Sequence, residues 1–167
     1  MDYRTLGNSG ASVSELTLGT MTFGAEADET TSHQILDAFV AAGGTLVDTA
    51  DVYTAGTSEE IIGRWLASHP TEAAQVVLAT KGRFPMGDGP NDVGLSRKHV
   101  MESIDGSLRR LQTDYVDLYQ AHRYDYETPL EETMQAFADV VRQGKALYIG
   151  VSEWTADQLR QGQAPAS

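Results

Sequence analysis

Six polar residues recur where predicted strands give way to turns: Thr20, Asp48, Lys81, His122 and the pair Ser152-Glu153, with Tyr53 five positions after Asp48 in Asp48-Thr49-Ala50-Asp51-Val52-Tyr53. A tyrosine hydroxyl, with an unperturbed pKa of about 10, is a poor acid near neutrality unless a neighbouring positive charge stabilises its phenolate. Lys81 is placed to supply that charge, and Asp48 to keep the ammonium ionised and oriented. A neutral His122 would donate a hydrogen bond to an oxygen gaining negative charge. Together these groups suit proton delivery to a carbonyl. They hold no electron source, so a reduction would need a bound hydride donor. Taken singly, each has a plainer reading: a strand-end Asp as a turn or helix cap, a solvated Lys, a loop His. Their arrival at one rim favours the shared one.

The elements that position them follow from hydrophobic spacing. Tyr3 to Leu6 and Ala11 to Glu15 flank Gly7-Asn8-Ser9-Gly10, which predicts an N-terminal hairpin. Strands are predicted at Leu16 to Met21, Thr45 to Asp48, Val76 to Lys81, Tyr115 to Tyr119 and Ala146 to Val151. Between them lie amphipathic helices. The first is capped by Thr30 or Thr31, carries Ile35, Leu36, Phe39 and Val40 on one face, and stops at Gly43-Gly44. The second is capped by Ser58, sets Glu59 and Glu60 near its positive end, turns Ile61, Ile62, Trp65 and Leu66 inward, and ends before Pro70. A third, capped by Ser96, carries Val100, Ile104, Leu108 and Leu111. A fourth runs from Leu130 to Arg142, and Thr155 caps a short last one. The Gly/Pro/Asp-rich loop from Gly82 to Gly94 is long enough to cover a site.

Repeated βα units with short turns imply a parallel sheet, either doubly wound or a (β/α)8 barrel. The doubly wound form predicts G-x-G-x-x-G straight after the first strand. Thr20-Met21-Thr22-Phe23-Gly24 does not match it. In a parallel barrel, the strand C-termini form the active-site rim.

Bulk composition narrows the function classes. The 167 residues, 41% hydrophobic and 22% charged, suit one domain. We expect residues 1–167 to form that domain, with a hairpin over 1–15 and five βα units over 16–160. The net charge of -12 repels phosphate backbones and argues against nucleic acid. No run approaches the roughly 20 apolar residues of a membrane span, and Met1-Asp2-Tyr3-Arg4 does not open a secretory signal, so a cytoplasmic location is expected. With no cysteine and no convergence of His and carboxylate ligands, no metal site is expected. His33, His69 and His99 read as structural or solvated, Met134 and Phe137 as core, and Glu131-Glu132 as a first-turn match to the helix dipole.

With these segments in order, the sequence resembles the aldo-keto reductase superfamily. The resemblance lies in Tyr3-Arg4-x-Leu6-Gly7-x-Ser9-Gly10, Leu18-Gly19-Thr20-Met21, Asp48-Thr49-Ala50-Asp51-x-Tyr53, Ala79-Thr80-Lys81, Tyr115-x-Asp117-Leu118-Tyr119-x-x-His122 and Ile149-Gly150-Val151-Ser152. It implies a (β/α)8 barrel binding an extended nicotinamide dinucleotide, usually NADPH with NADH possible. It also implies reduction of aldehydes or ketones with Tyr53 as general acid, supported by Asp48, Lys81 and His122. Thr20, Met21, Asp48, Ser152 and Glu153 are implied at the cofactor, Glu153 standing where asparagine is frequent. From position alone, Phe23, Phe84, Arg123 and Trp154 are candidates to line a substrate pocket. Five strands are fewer than the eight, in about 250 residues, of a closed barrel, and Gln161 to Ser167 lacks strand character. A truncated form, with self-association through open strand edges, is therefore expected. The alternative is a non-catalytic nicotinamide-binding or regulatory subunit on the same fold.

Overall fold

The computed structural model describes residues 1–163. Tyr3–Thr5 (β1) and Ser12–Ser14 (β2) form the expected antiparallel hairpin, Tyr3 opposite Ser14. It is sewn to the sheet by Ser14, whose amide donates to Thr45 Oγ1 at 2.9 Å and whose hydroxyl accepts from the Thr45 amide at 2.9 Å.

The remaining strands, Thr17–Gly19 (β3), Leu46–Asp48 (β4), Val77–Gly82 (β5), Val116–Ala121 (β6) and Ala146–Val151 (β7), make one parallel sheet in the order β3-β4-β5-β6-β7. Each strand pairs with the next in sequence. A doubly wound sheet would reverse direction at a switch point, whereas a barrel wall advances monotonically, as here. The fold is α/β, with a five-stranded parallel sheet flanked by helices that corresponds to part of a (β/α)8 wall. The sheet does not close among the described residues.

The helices are Glu29–Ala41 (α1), Thr57–Ser68 (α2), Pro70–Ala73 (α3), Arg97–Leu111 (α4), Leu130–Arg142 (α5) and Ala156–Gln163 (α6). The core fills the layer between them and the outer sheet face: Val47, Leu78 and Tyr119 meet Ile61, Trp65, Ile104 and Val140, and Tyr119 stacks on Phe137 with ring centroids 5.1 Å apart. α2 and α4 cross closely because Gly63 has no side chain; a Cβ there would run into the Arg110 carbonyl.

Local readings differ from expectation at several ends. Asp28, not Thr30 or Thr31, caps α1, its carboxylate accepting from the Thr31 amide at 2.8 Å. α2 starts at Thr57 after Gly56 in the left-handed region (φ 94°). Ser58 therefore lies inside the helix, and its buried hydroxyl donates to the Thr20 carbonyl at 2.9 Å. Pro70 opens α3 rather than merely following α2, since a first-turn proline sacrifices no helical hydrogen bond. Ser96 does cap α4, and Thr155 caps α6 in a reciprocal arrangement with Gln158. The α6 helix reaches Gln163, so Gln161 to Gln163 is helical, while Ala164 to Ser167 lies outside the described residues.

Candidate active site

Tyr53 begins a tight turn, Tyr53–Gly56, in which Thr54 and Ala55 both hold left-handed φ values of 48° and 52°. Such residues cost roughly 1–3 kcal/mol each and persist where surrounding structure imposes them. The restraints are visible: the Asp51 amide donates to the Lys81 carbonyl at 3.0 Å, and Thr54 Oγ1 to the Phe23 carbonyl at 2.9 Å. This fixes the Tyr53 ring over the C-terminal end of β5.

Lys81, on β5 with its side chain 7% exposed, uses its three N–H donors on three acceptors: Asp48 Oδ2 at 2.7 Å, the Thr49 carbonyl at 2.8 Å and the Tyr53 hydroxyl at 3.3 Å. His122, just past β6, is positioned by its amide donating to the Gly82 carbonyl at 3.1 Å. Its ring sits edge-on to Tyr53, centroids 5.7 Å apart, and to Phe84, 4.8 Å apart. Burial, and then the charges of Lys81, Arg123 and Arg83, depress His122 to about 4, so the imidazole is neutral at physiological pH. Its Nδ1 is buried without a hydrogen-bond partner among the described residues.

Asp48, Tyr53, Lys81 and His122 thus converge, with Phe84 against them. Thr20 is fully buried below, its hydroxyl donating to the Asp48 carbonyl at 3.1 Å, and Met21 is 66% exposed at the rim. On the far side of the rim the Ser152 amide donates to the Ala121 carbonyl at 2.9 Å. Glu153, in the left-handed region, pairs with Arg123 at 2.5 Å. Two expected pocket residues go elsewhere. Phe23 is a core side chain contributing only its carbonyl to the turn. Trp154 packs edge-on to Tyr124 and lines an apolar cavity of about 210 Å³ with Met134, Phe137 and Leu159, on the helix side of β7.

Sequence reasoning passed over three residues here. Gln120 donates to the second Asp48 oxygen at 3.1 Å; it lies on β6 directly beside Lys81 in the register, a juxtaposition that spacing along the sequence does not show. Glu59, expected as a dipole match, is fully buried and accepts from Arg110 Nε at 2.7 Å and Thr80 Oγ1 at 2.5 Å. Asp51 is buried beside it, and desolvation together with the Glu59 charge raises its carboxyl to about 7 against the pull of Arg110.

The sequence model of the aldo/keto reductase family matches residues 15–164. The chain is 44% identical over 174 residues to "Uncharacterized oxidoreductase YrpG" of Bacillus subtilis (strain 168), covering 99% of this chain and 53% of that protein. It is 44% identical over 168 residues to "Probable voltage-gated potassium channel subunit beta" of Oryza sativa subsp. japonica, covering 100% of this chain and 51% of that protein. A protein of the same description from Arabidopsis thaliana is 43% identical over 160 residues, 95% of this chain and 48% of that one. The chain spans about half the length of the curated relatives it matches.

Proposed function

This chain belongs to the aldo/keto reductase family, and from that premise we propose that it carries the proton-delivery site of an NADPH-dependent oxidoreductase reducing aldehydes and ketones to alcohols. The observation that carries the reading is the position of Lys81 Nζ, 2.7 Å from Asp48 Oδ2 and 3.3 Å from the Tyr53 hydroxyl. The third Lys81 donor is engaged by the Thr49 carbonyl at 2.8 Å. The ammonium stabilises the phenolate left when Tyr53 gives its proton to the substrate's carbonyl oxygen. Neutral His122 steadies that oxygen by hydrogen bonding as charge gathers on it.

Bound NADPH, with NADH as the other candidate, supplies the hydride that no side chain can. The rim fits the nicotinamide end of such a group: the partnerless His122 Nδ1 and the quarter-exposed Asp48 carboxylate border it, and Thr20, Met21, Ser152 and Glu153 would hold the carboxamide side. Among the described rim residues, Arg123 is tied to Glu153 and Lys81 to Asp48. The same reading takes residues 1–167 as one domain and the protein as cytoplasmic; no helix among the described residues is long and apolar enough to cross a membrane.

The test is a titration of the purified chain with NADPH, followed by nicotinamide fluorescence together with solution mass, and then turnover of an aldehyde. Saturable binding is expected in both the wild type and Tyr53→Phe, with turnover in the variant reduced by about 10²-fold or more. Turnover that survives Tyr53→Phe would refute the assignment of the acid.

A second reading rests on the two relatives named as channel subunits: a nicotinamide-binding or regulatory subunit whose partner is a potassium channel. A stable oligomer that binds such a partner regardless of Tyr53→Phe would favour it. Against it stands the convergence of an acid, its cation and that cation's counter-ion, for which binding alone gives no reason.

A further inference from the structure

We propose that Gln120 is a positioning residue, clamping the Asp48 carboxylate so that Lys81 keeps its bearing on Tyr53; the proposal rests on Tyr53 being the acid. Gln120 stands directly beside Lys81 in the β5–β6 register. Asp48 Oδ2 accepts from Lys81 at 2.7 Å and Oδ1 from Gln120 Nε2 at 3.1 Å. A carboxylate only accepts, so the amide must present its NH2 group to Asp48.

The terminal torsion of an aspartate is soft. Held through one oxygen, the Asp48 carboxylate can swing about its Cβ–Cγ bond and take the ammonium with it. A second bond on the other oxygen fixes its plane. Because the donor is neutral, it does this without a second cation competing with Lys81. Room for the amide comes from Gly150, which faces Gln120 in the β6–β7 register. A Cβ at Gly150 would lie 3.3 Å from Gln120 Cγ and 3.7 Å from its Oε1. One chain of contacts therefore crosses four strands, from Gly150 through Gln120 and Asp48 to Lys81, and ends at the Tyr53 hydroxyl.

Two variants and one spectrum test this. Gln120→Met keeps length and removes the donor; Gln120→Glu keeps shape and sets an acceptor and a like charge against Asp48. We expect kcat for NADPH-dependent aldehyde reduction to fall about tenfold in Gln120→Met, the loss expected from one hydrogen bond to a charged group, and further in Gln120→Glu. KM should change by no more than about twofold, since the interaction acts on proton delivery rather than on binding. A loss confined to melting temperature, with kcat intact, would overturn the proposal.

The spectrum needs neither turnover nor a folded variant at position 120. In ¹⁵N-labelled wild-type chain the Gln120 side-chain NH2 should show one proton shifted downfield and slow to exchange, and Asp48→Ala should return it to the position of a free amide. Free-amide signals in the wild type would sink the clamp. A clamped amide in a chain without reductase turnover would instead sustain the clamp and count against the proposed function.

Discussion

At the scale of single residues, half-buried His122 and buried Asp51 titrate in opposite senses. His122 is held at about 4, below its ordinary 6.5, by burial and by Lys81, Arg123 and Arg83. The unfolded chain therefore takes up a proton between about pH 6.5 and 4 that the folded chain refuses, and stability falls as pH drops through that window. Asp51 is raised to about 7 by burial and by Glu59, with Arg110 opposing. Its folded form keeps a proton that the unfolded chain loses above about pH 4, so its contribution is full in acid and is lost as pH rises through 7. Replacing Asp51 with Asn removes the buried charge. We expect Asp51→Asn to raise the melting temperature relative to wild type at pH 8, with the advantage shrinking as pH falls from 7 and vanishing below about pH 4. An advantage equal at both pH values would mean that the carboxyl is not titrating in the fold. His122→Gln should in turn flatten the acid limb of the same profile between pH 6.5 and 4.

Between elements, the decisive contact is that of α2 with α4. Glu59 reaches Arg110 across a sequence separation of 51 residues and is wholly enclosed. Removing one member of a buried ion pair strands the other, at a cost of about 3–5 kcal/mol. Arg110 is 22% exposed in its side chain, which admits some water, so Arg110→Met should cost about 3 kcal/mol, the lower end of that range. Adding Glu59→Gln to it should recover part of the loss in urea unfolding; a double variant no better than the single would show that the pair is not coupled. This contact also marks where sequence reading stops. The apolar faces of α2 and α4 follow from helical period, and the strands from short hydrophobic runs, because both patterns are local. Asp48, Tyr53, Lys81 and His122 could be placed on one rim because each stands at or soon after the C-terminal end of a strand. Nothing in the spacing told a first-turn Glu59 on the surface from one inside, since its partner lies on a helix far along the chain. Asp28 was overlooked as the α1 cap because Thr30 and Thr31 offered the same chemistry two and three residues later. Gln120 was hidden by its strand, where a lone amide resembles any half-exposed residue until register sets it beside Lys81.

For the whole molecule, the monotonic strand order has a consequence for association. Among the described residues β3 and β7 each pair on one side only, so each presents a row of backbone donors and acceptors, a template for pairing with another chain. The two edges are not equal. β3 is three residues long, too short to nucleate much pairing. β7 is six residues long, and beside its edge Leu147 and Ile149 are 48% and 37% exposed. An open cavity of about 710 Å³ wraps the same edge, lined by Leu118, Ala138, Val141 and Tyr148 with the hairpin tip Leu6 to Ser9. Apolar surface and unpaired backbone therefore coincide at β7. We expect this chain to associate with rising concentration in sedimentation velocity, and Leu147→Lys with Ile149→Lys to suppress it, as charges on exposed edges do. These side chains lie on the helix side of the sheet, away from Asp48 and Lys81, so NADPH binding should survive the double change if the rim alone provides it. Should binding disappear together with association, the cofactor site is completed by a second copy meeting the first at β7. Association that ignores both lysines would move the contact elsewhere, with the β3 edge the next place to probe.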